Sequence, residues 1–467
     1  MRRLPLAFAL AAALSPLGAA HAEDLLQTYE QARQSDPQYA AAESGRLVTR
    51  EGAVQARAAL LPQVNGSASL TRSYPQGDAL IDTDADGIPD TAIDAEGATT
   101  RRFGASVDQV LFDFGRFSNV RSQNALAKAG DFQLESAGDS LVTRTSAAYF
   151  NVLVALETLS AAEASEAALK KQFDLASKRL EVGLAPITDV HEARAQYDSA
   201  RANTILTRNA LQDAYQALVE ITGQPAATLK ALPKDFQPQL PAEKDVDGWV
   251  GTALDSNPAL KAQEYQLRSA EADVGVARAG HLPTLYLGAD YSDSKIISGS
   301  GGGGDSNRGS TVGLTLSVPI FAGGATQSRV RQALAQRDIA QDQYEQDKRA
   351  LERNTRNAYQ TLVAGVSEVE ARRLAVVSAK SAYDASQVGL EVGTRTVVDV
   401  LINQQNLFNA QREYALAKYN FLQNRLLLEQ AAGTLEVDDL ADVNRLLTAD
   451  ANAQLSQADR AAVQQAQ

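Results

Sequence analysis

Cysteine is absent from all 467 residues, which removes disulfide staples, thiol chemistry and thiolate-ligated zinc together. Histidine is scarce, with three in the whole chain, so a histidine base or a histidine-rich metal site has little material. Positive charge is in deficit. The 44 Lys and Arg face 57 Asp and Glu, a formal charge of -13, which argues against nucleic acid as a partner. Beyond the N-terminus no stretch approaches the ~18 consecutive apolar residues of a membrane-spanning helix. What is present, 44% hydrophobic and 22% charged residues, is the composition of a folded chain.

Residues 1–22 begin with Arg2 and Arg3, continue with an apolar stretch from Leu4 to Leu17, and end with Ala20 and Ala22 around His21. That order predicts a secretory signal peptide cleaved before Glu23. The exported chain then retains only His191 and His281. Both read as structural histidines, since no other ligand gathers near either at zinc spacing.

The remainder repeats itself. Pro37 lines up with Pro258, Arg57 with Arg278, and Leu61-Pro62 with Leu282-Pro283, all at one offset. At a slightly shorter offset TSAAYF (Thr145 to Phe150) matches TRNAYQ (Thr355 to Gln360), and LEVGLAPITDV (Leu180 to Val190) matches LEVGTRTVVDV (Leu390 to Val400). One unit is used twice, as 23–235 and 236–444, with extra polar residues from Gln76 to Thr100 in the first copy. A tail, 445–467, rich in Ala, Gln and Asp, is expected to be disordered or weakly helical.

Each copy starts with a helix-period segment, Asp24 to Ala59 and Trp249 to Gly280. Period-two runs come next: Val64, Gly66, Ala68 and Leu70, then Phe103, Ala105 and Val107; in copy two Leu285 to Tyr291, then Val312 to Ile320. These predict β-hairpins over 62–112 and 283–321, each strand having one apolar face. Helix-forming residues then dominate 114–182 and 325–392 with no Pro. At about 1.5 Å per residue these are rods of ~100 Å. After turns at Gly183 and Gly393, return helices 188–222 and 397–432 end at Gly223 and Gly433, placed as C-caps.

Four half-apolar strands cannot bury their apolar face alone, and lipid does not tolerate an open sheet edge. Closure between chains is required. Two chains would close only a plugged eight-stranded barrel, whereas three give 12 strands and a lumen. The expected fold is mixed α and β: a homotrimeric 12-stranded transmembrane β-barrel continuous with a long α-helical barrel.

The motifs LLQTYEQARQSDP, ALLPQV, SAAYFNVL, RLEVGLAPITDVHEARAQYD, GHLPTL, VPIFAGG and VGTRTVVDVL resemble, in order, those of the TolC family of outer-membrane efflux and secretion channels. The resemblance covers about Glu23 to Asn444. It implies a homotrimer in the outer membrane with its helical part in the periplasm, a mixed belt built after Gly223 and Gly433, and an aperture closed at the helical tip. The implied cargo is drugs, toxic small molecules or secreted proteins. The implied partners are a periplasmic adaptor (membrane fusion) protein, an inner-membrane RND, MFS or ABC transporter, and outer-membrane lipid.

At the tip the resemblance sets Arg395, with Thr394 beside it, against Thr188 and Asp189 across a protomer boundary. The family's tyrosine in that network falls on Leu390 here, so one link is missing. Asp399 would form a ring of three carboxylates about the axis, favouring cations. A second acidic ring one turn deeper is replaced by Ile402.

Outside the resemblance, DTDADGIPD sets Asp82, Asp84, Asp86 and Asp90 around Gly87, a spacing that lets alternate carboxylates converge on a hard cation. An EF-hand needs Glu at the twelfth position, where Ile93 stands. Two readings stay open, a weak calcium loop and a solvated acidic loop. Gly299, Gly301 and Gly304 fit G-x-G-x-x-G but lie between strands, which makes them a flexible loop. No nucleophile has a base at motif spacing, so no enzyme and no cofactor is expected. The competing class is a structural trimeric coiled-coil surface protein or adhesin without a pore.

Overall fold

The computed structural model describes residues 24–74, 78–81, 91–94, 97–226, 228–233, 236–240, 245–298 and 306–451. The segment expected to be a signal peptide, the Asp82 to Asp90 motif, the glycines at 299–304 and residues 452–467 lie outside them. In chain order the elements are α1 (Leu25–Ser35), α2 (Pro37–Ala58), β1 (Gln63–Ser73), β2 (Asp78–Ile81), β3 (Thr91–Asp94), β4 (Ala98–Phe112), α3 (Phe114–Glu181), α4 (Ile187–Thr222) and β5 (Lys230–Ala231). They continue as α5 (Val246–Ser256), α6 (Pro258–Ala279), β6 (Thr284–Ser298), β7 (Ser306–Ser317), α7 (Ala325–Glu391), α8 (Val397–Ala432), α9 (Val437–Leu446) and β8 (Ala449–Asp450). Mostly helical with antiparallel sheet, the chain divides into two compact units. One comprises Met1–Ser44, Gln133–Leu260 and Asp347–Gln467, the other Gly45–Phe132 and Lys261–Gln346.

Each opening helix is two helices. The chain breaks at Asp36 (ψ 117°) and Asn257 (ψ 121°), because the residue before proline is driven out of the α region. Each then caps the second helix of its pair: Asp36 Oδ1 accepts the Tyr39 N–H at 2.7 Å and Asn257 Oδ1 the Leu260 N–H at 3.0 Å. Nor does the tail begin at 445. Arg445 and Leu446 close α9, whose Leu440 and Val443 are buried, and β8 pairs with β5. Two apolar residues one turn apart, with Leu447 beyond, sufficed to dock this short segment on the core.

In the helical unit, core residues come from α3 (Leu141, Tyr149, Val152, Leu153, Leu156, Leu159), α8 (Tyr419, Leu422, Leu426), α1 (Leu25) and the segments after α4 and α8 (Leu229, Leu435). The phenol of Tyr149 donates to the Lys230 carbonyl at 2.8 Å and accepts the Lys230 N–H at 2.9 Å, which pins β5 to α3. Beside this lies an ion pair between a buried lysine and a half-buried glutamate. Lys418, 4% exposed, reaches both oxygens of Glu157 at 2.9 and 3.0 Å, and the Tyr419 hydroxyl donates to Glu157 Oε1 at 2.8 Å. Burial first, then the charge of Glu157, pushes the Tyr419 phenol well above its ordinary pKa.

Gly223 (φ 70°) and Gly433 (φ 67°) end α4 and α8 in the left-handed region. Their surroundings differ. A Cβ on Gly223 would sit 3.1 Å from Ser35 Cβ, whereas one on Gly433 would lie 2.5 Å from Asn257 Cα and 2.6 Å from its nitrogen. Gly223→Ala is expected to cost about 1 kcal/mol of left-handed strain. Gly433→Ala should cost about 3 kcal/mol or more, since backbone must move as well. Denaturant unfolding of both variants checks the ranking.

In the other unit the strands form one antiparallel sheet in the order β1-β4-β6-β7, and β2 pairs with β3 inside the stretch expected to be loop. Strand β7 stops at Ser317 rather than Ile320, because Pro319 has no N–H for the ladder. Register sets Val64, Val107, Ala289 and Val312 abreast on one face and Asn65, Ser106, Asp290 and Thr311 abreast on the other. Among the described residues nothing covers much of the apolar face: Val64, Val312, Leu314 and Leu316 are each more than 60% exposed. Among the described residues β1 and β7 are unpaired along their outer edges.

Candidate functional site

The tip turns are built alike. In the first, the N–H of Gly183 (φ 74°) bonds the Leu180 carbonyl at 2.9 Å and that of Leu184 the Arg179 carbonyl at 2.8 Å. In the second, Gly393 (φ 78°) bonds Leu390 at 3.3 Å and Thr394 bonds Gly389 at 2.8 Å. This is the paired 5→2 and 6→1 closure that a left-handed glycine permits at a helix end. The next helices start on Pro186 and on Thr396. Thr396 Oγ1 accepts the Asp399 N–H at 3.2 Å while Asp399 Oδ2 accepts the Thr396 N–H at 2.9 Å, a reciprocal capping box.

Both turns line one cleft of about 390 Å³, with Arg179, Leu184, Ala185 and Asp189 from one side and Leu390, Gly393, Arg395 and Thr396 from the other. The structure therefore brings Arg395 and Asp189 to the same cleft. Within the chain they do not bond. Among the described residues Arg395 has no ion-pair partner, and Thr188 Oγ1 turns to Asp189 Oδ1 at 3.4 Å. Thr394, expected to serve the closure, is occupied locally, its hydroxyl donating to the Gly389 carbonyl at 3.2 Å. Leu390 is buried and Ile402 is exposed.

Asp399 is held below the ordinary carboxylate range by the Thr396 N–H and hydroxyl, helped by the charge of Arg395. Both bonds use Oδ2.

Sequence reading missed Gly389. Its carbonyl collects the Thr394 N–H, the Arg395 N–H and the Thr394 hydroxyl. A Cβ there would lie 2.6 Å from Arg395 Cγ, so the bare helix surface seats the stem of Arg395. The signal was an exchange between the copies: Arg179 and Ala185 in the first stand where the second has Gly389 and Arg395. Large and small trade places, and the cation changes side.

Among the described residues no group of three or more His, Asp or Glu converges as a metal site, and no helix is long and apolar enough to cross a membrane.

The model of the outer membrane efflux protein family matches residues 28–224 and again 249–434. Over 437 residues the chain is 36% identical to outer membrane protein TolC of Escherichia coli, covering 91% of this chain and 85% of that one. It is 29% identical to the alkaline protease secretion protein AprF of Pseudomonas aeruginosa, covering 90% and 86%. Among solved structures, the CmeC outer membrane channel of Campylobacter jejuni superposes with a TM-score of 0.73 at 19% identity, covering 93% and 90%. The outer-membrane channel OprN does so with 0.71 at 21%, covering 88% and 90%. At those identities the likeness concerns the fold.

Proposed function

Because the chain belongs to the outer membrane efflux protein family, we propose that it is the outer-membrane exit duct of an export system, a homotrimer whose chains close a 12-stranded barrel. The observation that carries this is the sheet, whose apolar face is bare and whose β1 and β7 edges are open. In lipid each edge needs a partner strand, and a neighbouring chain's opposite edge supplies one. The other face, lined by Asn65, Ser106, Asp290 and Thr311, then borders a wet lumen. The two family matches in succession support one unit used twice.

The helical unit lies in the periplasm, where an adaptor and an inner-membrane RND, MFS or ABC transporter deliver cargo. Relatives differ in what their names say they serve, protease secretion for one and cobalt, zinc and cadmium resistance for another. The cargo class is correspondingly broad: drugs, toxic small molecules or secreted proteins. Single-channel recording of the purified protein in a planar bilayer tests the reading. Discrete conductance supports the duct, and an electrically silent trimer favours a structural stalk.

At the aperture Asp399 from three chains forms the cation-attracting ring. Asp399→Asn retains an oxygen for the Thr396 cap and removes only charge, whereas alanine would also cost about 1 kcal/mol of capping. Block by multivalent cations should weaken about tenfold or more in the Asn variant, as three charges leave one constriction. Block of unchanged strength would show that the ring lies elsewhere.

A further inference from the structure

Although the chain is acidic, one face of its sheet ends in cations. On the face that holds Val64, Val107, Ala289 and Val312, register brings a basic residue outward on every strand: Arg72 on β1, Arg101 on β4, Lys295 on β6 and Arg308 on β7. All are exposed. The acid on that face among the described strand residues is Asp293, bonded to Arg308 Nε at 3.2 Å. These rows lie at the end of the sheet opposite to the one where α2 leads into Gln63 and Phe112 leads into α3.

Arg101 stands directly opposite Lys295 in the ladder. Like charges opposed on one face destabilise a strand pair, and among the described residues neither has an acidic partner. Aromatic rings hold the neighbouring guanidiniums at this level: Arg101 lies 5.0 Å from the Phe103 ring centroid and Arg72 5.2 Å from that of Tyr74. Along β6 the same face runs Leu287, Ala289, Tyr291, Asp293 and Lys295, from apolar through aromatic to charged. An interfacial belt of a barrel has this gradient.

We propose that Arg101 and Lys295, flanked by Arg72, bind a phosphate group on the headgroup of an outer-leaflet lipid. The site rests on the reading of this sheet as part of a transmembrane barrel. A phosphate between Arg101 and Lys295 turns their repulsion into two attractions, bidentate from the guanidinium and point-like from the ammonium. Arg308 is already held by Asp293 and contributes less. A free phosphate ion offers the same charge but leaves the apolar rows below bare, whereas a lipid lays its chains along Val64, Val107, Ala289 and Val312. Outer-membrane lipid thus becomes a ligand with a defined seat.

Native mass spectrometry of the purified trimer tests this, with bisphosphorylated lipid A, its dephosphorylated counterpart and inorganic phosphate as separate probes. The wild type is expected to retain the phosphorylated lipid at least about tenfold better than the dephosphorylated one. That preference should vanish in an Arg101→Gln, Lys295→Gln variant. It should survive in Arg102→Gln, whose position lies on the opposite face of the same strand. Equal retention of both lipids by the wild type, an unchanged preference in the double variant, or equal loss in the Arg102 control overturns the site. Inorganic phosphate displacing the lipid at comparable concentration would replace the lipid by a free anion and overturn the proposal as stated. Bilayer conductance of the same samples separates the two readings: a conducting trimer without lipid preference removes this site alone, and a silent one removes the barrel on which it rests.

Discussion

Replacing Arg395 by serine is expected to raise the mean conductance of the proposed trimer by shifting its aperture toward the open state. Arg395 lines the tip cleft without an ion-pair partner inside its own chain, while Asp189 and Thr188 offer acceptors that a neighbouring protomer would bring to it. An exposed charge-assisted link contributes about 1 kcal/mol. In the proposed trimer three such links would hold the closed state by about 3 kcal/mol, so their loss would move the open-to-closed ratio roughly a hundredfold. Gly389→Ala is expected to act in the same direction with the charge intact, because its methyl group would displace the Arg395 stem from its seat. Single-channel records of both variants check this. If Arg395→Ser leaves the closed-state occupancy where it was, the latch is not this arginine.

A large loss of stability is expected from Glu157→Leu. Lys418 is buried and Glu157 receives both its ammonium and the Tyr419 hydroxyl. Removing the carboxylate leaves the buried Lys418 ammonium without its counter-ion, at a cost of about 2–3 kcal/mol, below the full buried-pair penalty because Glu157 is half-buried. Adding Lys418→Met to the same protein should recover most of the loss, because the pair exchanged together for apolar groups is near neutral. Denaturant unfolding of the two single variants and the double variant measures the coupling. Additive losses would mean that the pair is not coupled in the folded protein.

What could be read from the residues was whatever depends on local periodicity and on covalent restraint. Period two in Val64 to Leu70 and Val312 to Leu316 marked strands with one apolar face. The Pro-free stretches after Phe114 and Ala325 marked the long helices, and Gly183, Gly223, Gly393 and Gly433 marked their ends, because a left-handed residue at a helix end favours glycine wherever it occurs. The breaks at Asp36 and Asn257 were legible too, from Pro37 and Pro258, but the apolar period running across them masked the signal. Only the tertiary structure decided what depends on partners distant in sequence. It gave α9 and β8 a place in the core, because Leu440, Val443 and the β5 edge reward a segment that is weak alone. It paired Lys418 with Glu157, although no spacing links positions so far apart. It turned Thr394 back onto Gly389 and set Arg101 against Lys295, since register and close approach are properties of packed backbones and no local pattern encodes them.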